Sequence, residues 1–222
     1  MPEVNLIDFF SYFKGTPEQK EAVQMLQQSM PASLLTNKAA WVQQYRAKPA
    51  VTNPLNVEYF WQRDNYDGRG DRECQTSSIA MALKFLGVKG INTDDDYLRI
   101  VNRIGDTTEQ ATHMKALGEL GVPSRFVTSL HKSDIINQIE AGKPIPLGYL
   151  HHGSVGHPTG GHYLCGIGFT DTHLIAHDPF GDLGMVSGQW VATGPTDGKS
   201  IHYSWENFLK RWDVGGGWGW IL

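Results

Sequence analysis

Cysteine is scarce: only Cys74 and Cys165 occur in 222 residues. Two are too few for a disulfide scaffold and fit synthesis in a reducing compartment. No run of Lys or Arg stands out, and 19 basic against 23 acidic residues leave a formal charge of -4, so nucleic acid is not an expected partner. No stretch approaches the ~18 apolar residues of a membrane span. The amino terminus, MPEVNLIDFFSYFKG, lacks the basic start and long apolar core of a secretory signal. The expectation is a protein made in the cytoplasm that binds no membrane and needs a separate release factor to reach any substrate beyond one. Internal repeats and low-complexity segments are also missing. What the chain has in quantity is 25 Gly and 11 Pro alongside 40% hydrophobic residues, the composition of a turn-rich globular protein, expected to be a monomer.

Residues 16–30 open with Thr16 as N-cap, Pro17 at the first helical position and Gln19 three residues after the cap, which predicts a helix. A second helix is expected over about 36–47, so residues 1–50 read as a small helical unit, either a substrate-binding element or a packing collar. The segment KPAVTNPLN (48–56) reads as a linker or strap, and the main domain is expected over 51–222. Its opening, VEYFW, suggests a short strand, followed by a polar Gly-rich loop that ends at Cys74. From Gln75 the pattern turns helical, with Ile79, Ala82, Leu83 and Leu86 on one face and Gly87 as the stop. Further helices are expected at about 94–103, 108–120 and 133–141. After Gly142, PIPLGYL, HYLCGIGF, HLIAHDPF and GKSIHYS read as strands, before a last helix at about 204–212. Helices first and an antiparallel sheet second give an α+β fold. Trp218 and Trp220 in the terminal GGGWGWIL are expected to pack back on the domain.

A thiol attacks only as the thiolate, so a nucleophilic cysteine needs a favourable electrostatic setting and a histidine to take its proton. Cys74 stands at a loop-to-helix junction, facing unpaired N–H groups and the positive end of the helix dipole, with Arg69 and Arg72 just upstream. Cys165, inside an apolar strand, reads as a small buried hydrophobe. His162 follows Gly160 and Gly161 at the start of a strand. Asp178 ends the next strand, where a hairpin would bring it beside His162 to hold the imidazole tautomer; it reads alternatively as the turn-maker of Asp-Pro. Gln62 is an oxyanion donor together with the Cys74 backbone N–H, or equally an ordinary loop glutamine.

The stretches QRDN, RECQTSSIAMALKFLG, GGHYLCGIGF and LIAHDPFGD resemble the papain-like cysteine peptidases that process bacteriocin leaders at a double glycine. The likeness runs over about residues 57–212. It implies a papain-like fold with a helical half and an antiparallel sheet half, no cofactor, and a catalytic set of Cys74, His162, Asp178 and Gln62. The sequence departs from that family in carrying Gln75 where Gly commonly follows the cysteine, and in a longer loop between Gln62 and Cys74. Free-standing relatives with a short helical N-terminal segment resemble bacteriophage endolysins, which implies bacterial peptidoglycan as substrate, cut as an endopeptidase or amidase. Two alternatives stay open: a leader or maturation peptidase acting on proteins, and a non-catalytic module of a phage particle.

His157 and Gln75 are expected to face substrate. His151, His152, His157 and His162 match no zinc spacing, so no metal is expected there. Asp64, Asp67 and Asp71 have some look of a calcium loop but lack its terminal Glu. Asp94, Asp95 and Asp96 read as a helix N-terminus.

Overall fold

A computed structural model describes residues 52–222; the helical unit expected over 1–50 lies outside them. The chain enters as a strap. The backbone N–H of Leu55 donates to the Ile167 carbonyl at 2.7 Å, and the Asn53 side chain exchanges two hydrogen bonds with the Phe169 backbone, each 2.9 Å. The short strand expected at VEYFW does not form: residues 57–61 join no sheet.

Helix α1 (Cys74–Phe85) follows. Its residues from Gln75 to Leu83 are all buried, so it is a central helix. The small side chains Thr76, Ser77, Ser78, Ala80 and Ala82 let neighbours approach on every side. It ends as a Schellman motif: Gly87 takes φ +72°, its N–H donates to Lys84 O, and the Val88 N–H donates to Leu83 O, both at 3.0 Å. Helix α2 (Asp94–Ile104) starts at a capping box made by Thr93 and Asp96, and the three aspartates at its start fit that dipole end. Asp94 also accepts from the Ser77 hydroxyl at 2.6 Å, fastening α2 to α1. Helices α3 (Gln110–Glu119) and α4 (Lys132–Glu140) complete the first half.

The second half is an antiparallel sheet. Its strands are β1 (Arg125–Val127), β2 (Ile145–His152), β3 (Thr159–Phe169), β4 (His173–His177), β7 (Ile201–Ser204) and β8 (Gly219–Ile221), in the order β1-β8-β2-β3-β4-β7. Strands β5 (Asp182–Gly184) and β6 (Gln189–Ala192) pair separately as a small hairpin. Helix α5 (Trp205–Trp212) lies between β7 and β8. The arrangement is the expected α+β one. The three-residue strands β1, β5 and β8 are too short to show a period in sequence. Strand β8 fills the place between β1 and β2 and draws the C-terminal aromatics inward: Trp220 is fully buried, and Trp218 packs on Gly148, where any Cβ would stand 1.7 Å from its indole nitrogen.

Candidate active site

Cys74 is the first residue of α1. The preceding Glu73 makes no side-chain cap, so the N–H groups of the first turn carry no side-chain acceptor there. The thiol is partly exposed, whereas Cys165 is buried in the core. Near Cys74 stands His162 on β3, close enough for the two groups to attract one another when charged. His162 Nε2 is engaged by Asp178 Oδ1 at 2.7 Å, which leaves Nδ1 for the sulfur.

A single irregularity brings Asp178 to His162. Strands β3 and β4 run in step at Phe169–Leu174 and Gly168–Ile175, then slip by one residue, so that Gly166 faces Ala176 and Cys165 faces His177. One step further puts Asp178 opposite Leu164, whose side chain shares the face of His162 two residues away. Without the extra residue, Ile167, Asp178 would sit opposite Cys165 on the other face. The strap bonds to this bulge, since the carbonyl that receives Leu55 is that of Ile167.

Tyr149 completes the arrangement. It faces His162 across the β2–β3 ladder, its ring meets the imidazole edge to face at 5.5 Å, and its hydroxyl donates to Asp178 Oδ2 at 2.7 Å. Sequence reading missed it, although the hairpin register, once known, would have pointed to it. Trp190 of the β5–β6 hairpin lies 5.2 Å from the His162 ring and 4.6 Å from Phe180. Together these rings cover the His162–Asp178 pair, leaving His162 4% and Asp178 0% exposed.

Burial opposes charge on His162, but the attraction of Asp178 and Cys74, with the hydrogen bond to Asp178, outweighs it and lifts the imidazole to about 10. His151 goes the other way, down to about 4, through burial and the neighbouring His162 and His152 rings. A neutral His151 therefore stands 5.3 Å from a charged His162.

Gln62 sits in a 3-10 turn (Gln62–Asp64) and is fully buried. Its side-chain nitrogen donates to the Gly70 carbonyl, and its side-chain oxygen is buried without a partner. Asn65 donates to Glu73 at 2.6 Å, so two buried side-chain bonds brace the long loop between Gln62 and the nucleophile. Glu73 is raised to about 7, chiefly by burial, with Asn65 opposing the rise. Gly70 is required for the brace: a Cβ there would lie 2.2 Å from Gln62 O and 2.7 Å from the Arg63 Cα. Both are backbone atoms, so Gly70→Ala must displace Gln62. We expect kcat to fall by about tenfold or more, because misplacing an oxyanion donor by an ångström weakens it in the transition state; steady-state kinetics beside a thermal melt check this.

Other expectations fare differently. Gln75 is 2% exposed with its amide nitrogen unpartnered, so it turns inward and does not face substrate. His157 is exposed in the β2–β3 loop. Arg69 pairs with Asp67, and Arg72 with Asp106, so both cations are spent on acids. Asp71 pairs with Arg63 at 3.5 Å; Asp64, Asp67 and Asp71 do not converge. Among the described residues no group of three His, Cys, Asp or Glu is placed to hold a metal, nor is any helix long and apolar enough to cross a membrane.

The family described as Peptidase_C39 like family matches residues 54–216. Among solved structures, the fold is similar to a C39-like peptidase from Bacillus anthracis, at 15% identity and TM-score 0.53 over 76% of this chain and 96% of that one. It is similar also to the peptidase domain of Streptococcus ComA, a bi-functional ABC transporter involved in a quorum-sensing pathway, at 16% identity and TM-score 0.50 over 75% of this chain and 97% of that one. At such identities the likeness is one of fold. No curated protein matches in sequence.

Proposed function

The chain belongs to the C39-like peptidase family, and on that premise we propose that it hydrolyses amide bonds through Cys74, His162, Asp178 and Gln62. The observation that carries this reading is the 2.7 Å bond from His162 Nε2 to Asp178, with the opposite edge of the ring turned to Cys74 at the start of α1. His162 takes the thiol proton; the thiolate adds to the carbonyl carbon; the oxyanion is held by the Cys74 backbone N–H and Gln62. The imidazolium then protonates the leaving amine, and water, losing its proton to His162, releases the acid from the thioester.

For the substrate we infer a peptide of bacterial peptidoglycan, the endolysin-like reading. Its support is the ring-rich surroundings of His162: Phe180 and Trp190 beside the imidazole, with the Arg63 guanidinium 5.5 Å from the Phe180 ring and 5.9 Å from that of Trp61. Such a surface stacks on sugar faces and peptide planes. A protein-processing peptidase is the second reading, favoured by the similarity in fold to a peptidase domain that belongs to a transporter.

The test compares the protein with Cys74→Ala on purified peptidoglycan from several bacteria and on Gly-Gly peptides, with fragments identified by mass spectrometry. Wall fragments that vanish in the variant support the first reading, and their ends tell endopeptidase from amidase. Cleavage of Gly-Gly peptides alone favours the second. Activity unchanged in Cys74→Ala would overturn the assignment of the nucleophile.

A further inference from the structure

The Asp178 carboxylate is held on both oxygens. Oδ1 meets His162 Nε2 at 2.7 Å and receives the Phe180 backbone N–H at 3.1 Å. Oδ2 receives the Tyr149 hydroxyl at 2.7 Å. An ionised carboxylate only accepts, so the Tyr149 proton is committed to Asp178. Behind Tyr149 lies Tyr203 of β7. Their rings are 6.4 Å apart, and the Tyr203 oxygen accepts from the Leu183 backbone N–H at 3.0 Å. Tyr149 and Tyr203 are 0% and 3% exposed, so water does not compete for either hydroxyl. Tyr203 is thereby anchored to the β5–β6 hairpin, where Leu183 faces Trp190, the ring beside His162.

We propose that Tyr149 is a positioning residue of the peptidase reaction, holding the Asp178 carboxylate in the rotamer that faces His162, with Tyr203 packed behind its ring and tied to the hairpin that carries Trp190. The proposal rests on the reading of Cys74, His162 and Asp178 given above. Deleting the Tyr149 hydroxyl leaves Oδ2 as a buried acceptor without a donor. The carboxylate gains by turning towards the Phe180 N–H or a penetrating water, and either movement loosens its grip on His162. The imidazole then loses the orientation that presents Nδ1 to the thiol.

The test is a double-mutant cycle of Tyr149→Phe and Asp178→Asn, with Tyr203→Phe as a second, more distant variant. Each protein is melted, assayed for kcat and KM, and titrated with iodoacetamide at pH 6 for the alkylation rate of Cys74, which needs no substrate. We expect Tyr149→Phe to lower kcat and the alkylation rate by about tenfold, and Tyr203→Phe by about threefold, with KM within about twofold. In the Asp178→Asn background Tyr149→Phe should add no further loss, because its effect passes through that carboxylate. An equal loss in both backgrounds, or none in either, overturns the proposal; a stability defect alone would appear in the melt and leave the per-molecule rate of folded protein unchanged. Failure of the underlying reading looks different: Cys74 of the unaltered protein would alkylate no faster than a free thiol.

Discussion

His162→Ala is expected to lower kcat/KM by about 10⁴- to 10⁶-fold, as much as Cys74→Ala, and the two changes together no more than either alone. The reason is that thiol and imidazole act as one unit: without the base the sulfur keeps its proton, and without the sulfur the base has nothing to activate. The same pair sets the pH response. The imidazole is raised to about 10 in the fold from about 6.5 in an unfolded chain. A raised value means that the charged histidine stabilises the fold fully below about pH 6.5 and that this contribution disappears as pH rises through about 10. In the proposed reaction the imidazolium is the proton donor to the leaving amine, so the alkaline limb of kcat/KM is expected near pH 10. Asp178→Asn removes the larger of the two attractions that raise it, and the limb should move down towards neutrality. A pH profile of kcat/KM for the two proteins decides the matter; a limb that stays in place in Asp178→Asn would show that the carboxylate does not hold the proton on His162.

Arg211→Met is expected to cause a large loss of stability, about 3–5 kcal/mol. Arg211 on α5 is fully buried and has no acidic partner among the described residues. Its guanidinium instead donates to four backbone carbonyls: Met185 at 2.6 Å, Leu150 at 3.0 Å, His152 at 3.3 Å and Gly153 at 2.7 Å. Each is an acceptor that a methionine leaves unpaired at about 1–3 kcal/mol. Relief of the cost of burying the cation recovers part of the sum. For a domain of this size the change corresponds to about 8–15 °C in Tm, measurable by calorimetry. The carbonyls belong to the end of β2 and the turn of the β5–β6 hairpin, the two segments that bring His151 and Trp190 beside His162. KM is therefore expected to rise in any Arg211→Met that still folds, and Arg211→Lys, with one nitrogen for four acceptors, should recover only a fraction of the stability.

The sequence by itself determined the helix that Cys74 opens, the order of the longer helices and strands, and the chemical types in the candidate site. Cys74 stands between polar neighbours at a helix start, Gly87 terminates that helix with the positive φ it needs, and the polar-to-apolar change after Gly160–Gly161 marks the strand that begins with His162. These are local properties, written in spacing of 3.6 or 2 and in turn chemistry over a few residues. Gln75 was misread for the same reason: a polar side chain suggests exposure, but α1 is enclosed on all sides and takes Gln75 inward. The extra residue at Ile167 left no such mark. It depends on how β3 meets β4 and on the strap that bonds to its carbonyl, and it alone decides whether Asp178 shares a face with His162 or points away from it. Tyr149, Trp190 and Arg211 were invisible for a related reason, since His162, which the first two meet, and the β2 carbonyls that Arg211 binds lie 13 to 61 residues distant in the chain and nothing nearby distinguishes them from ordinary core residues. Local pattern sets which element forms; register and long-range hydrogen bonding, which no short window contains, set which side chains meet.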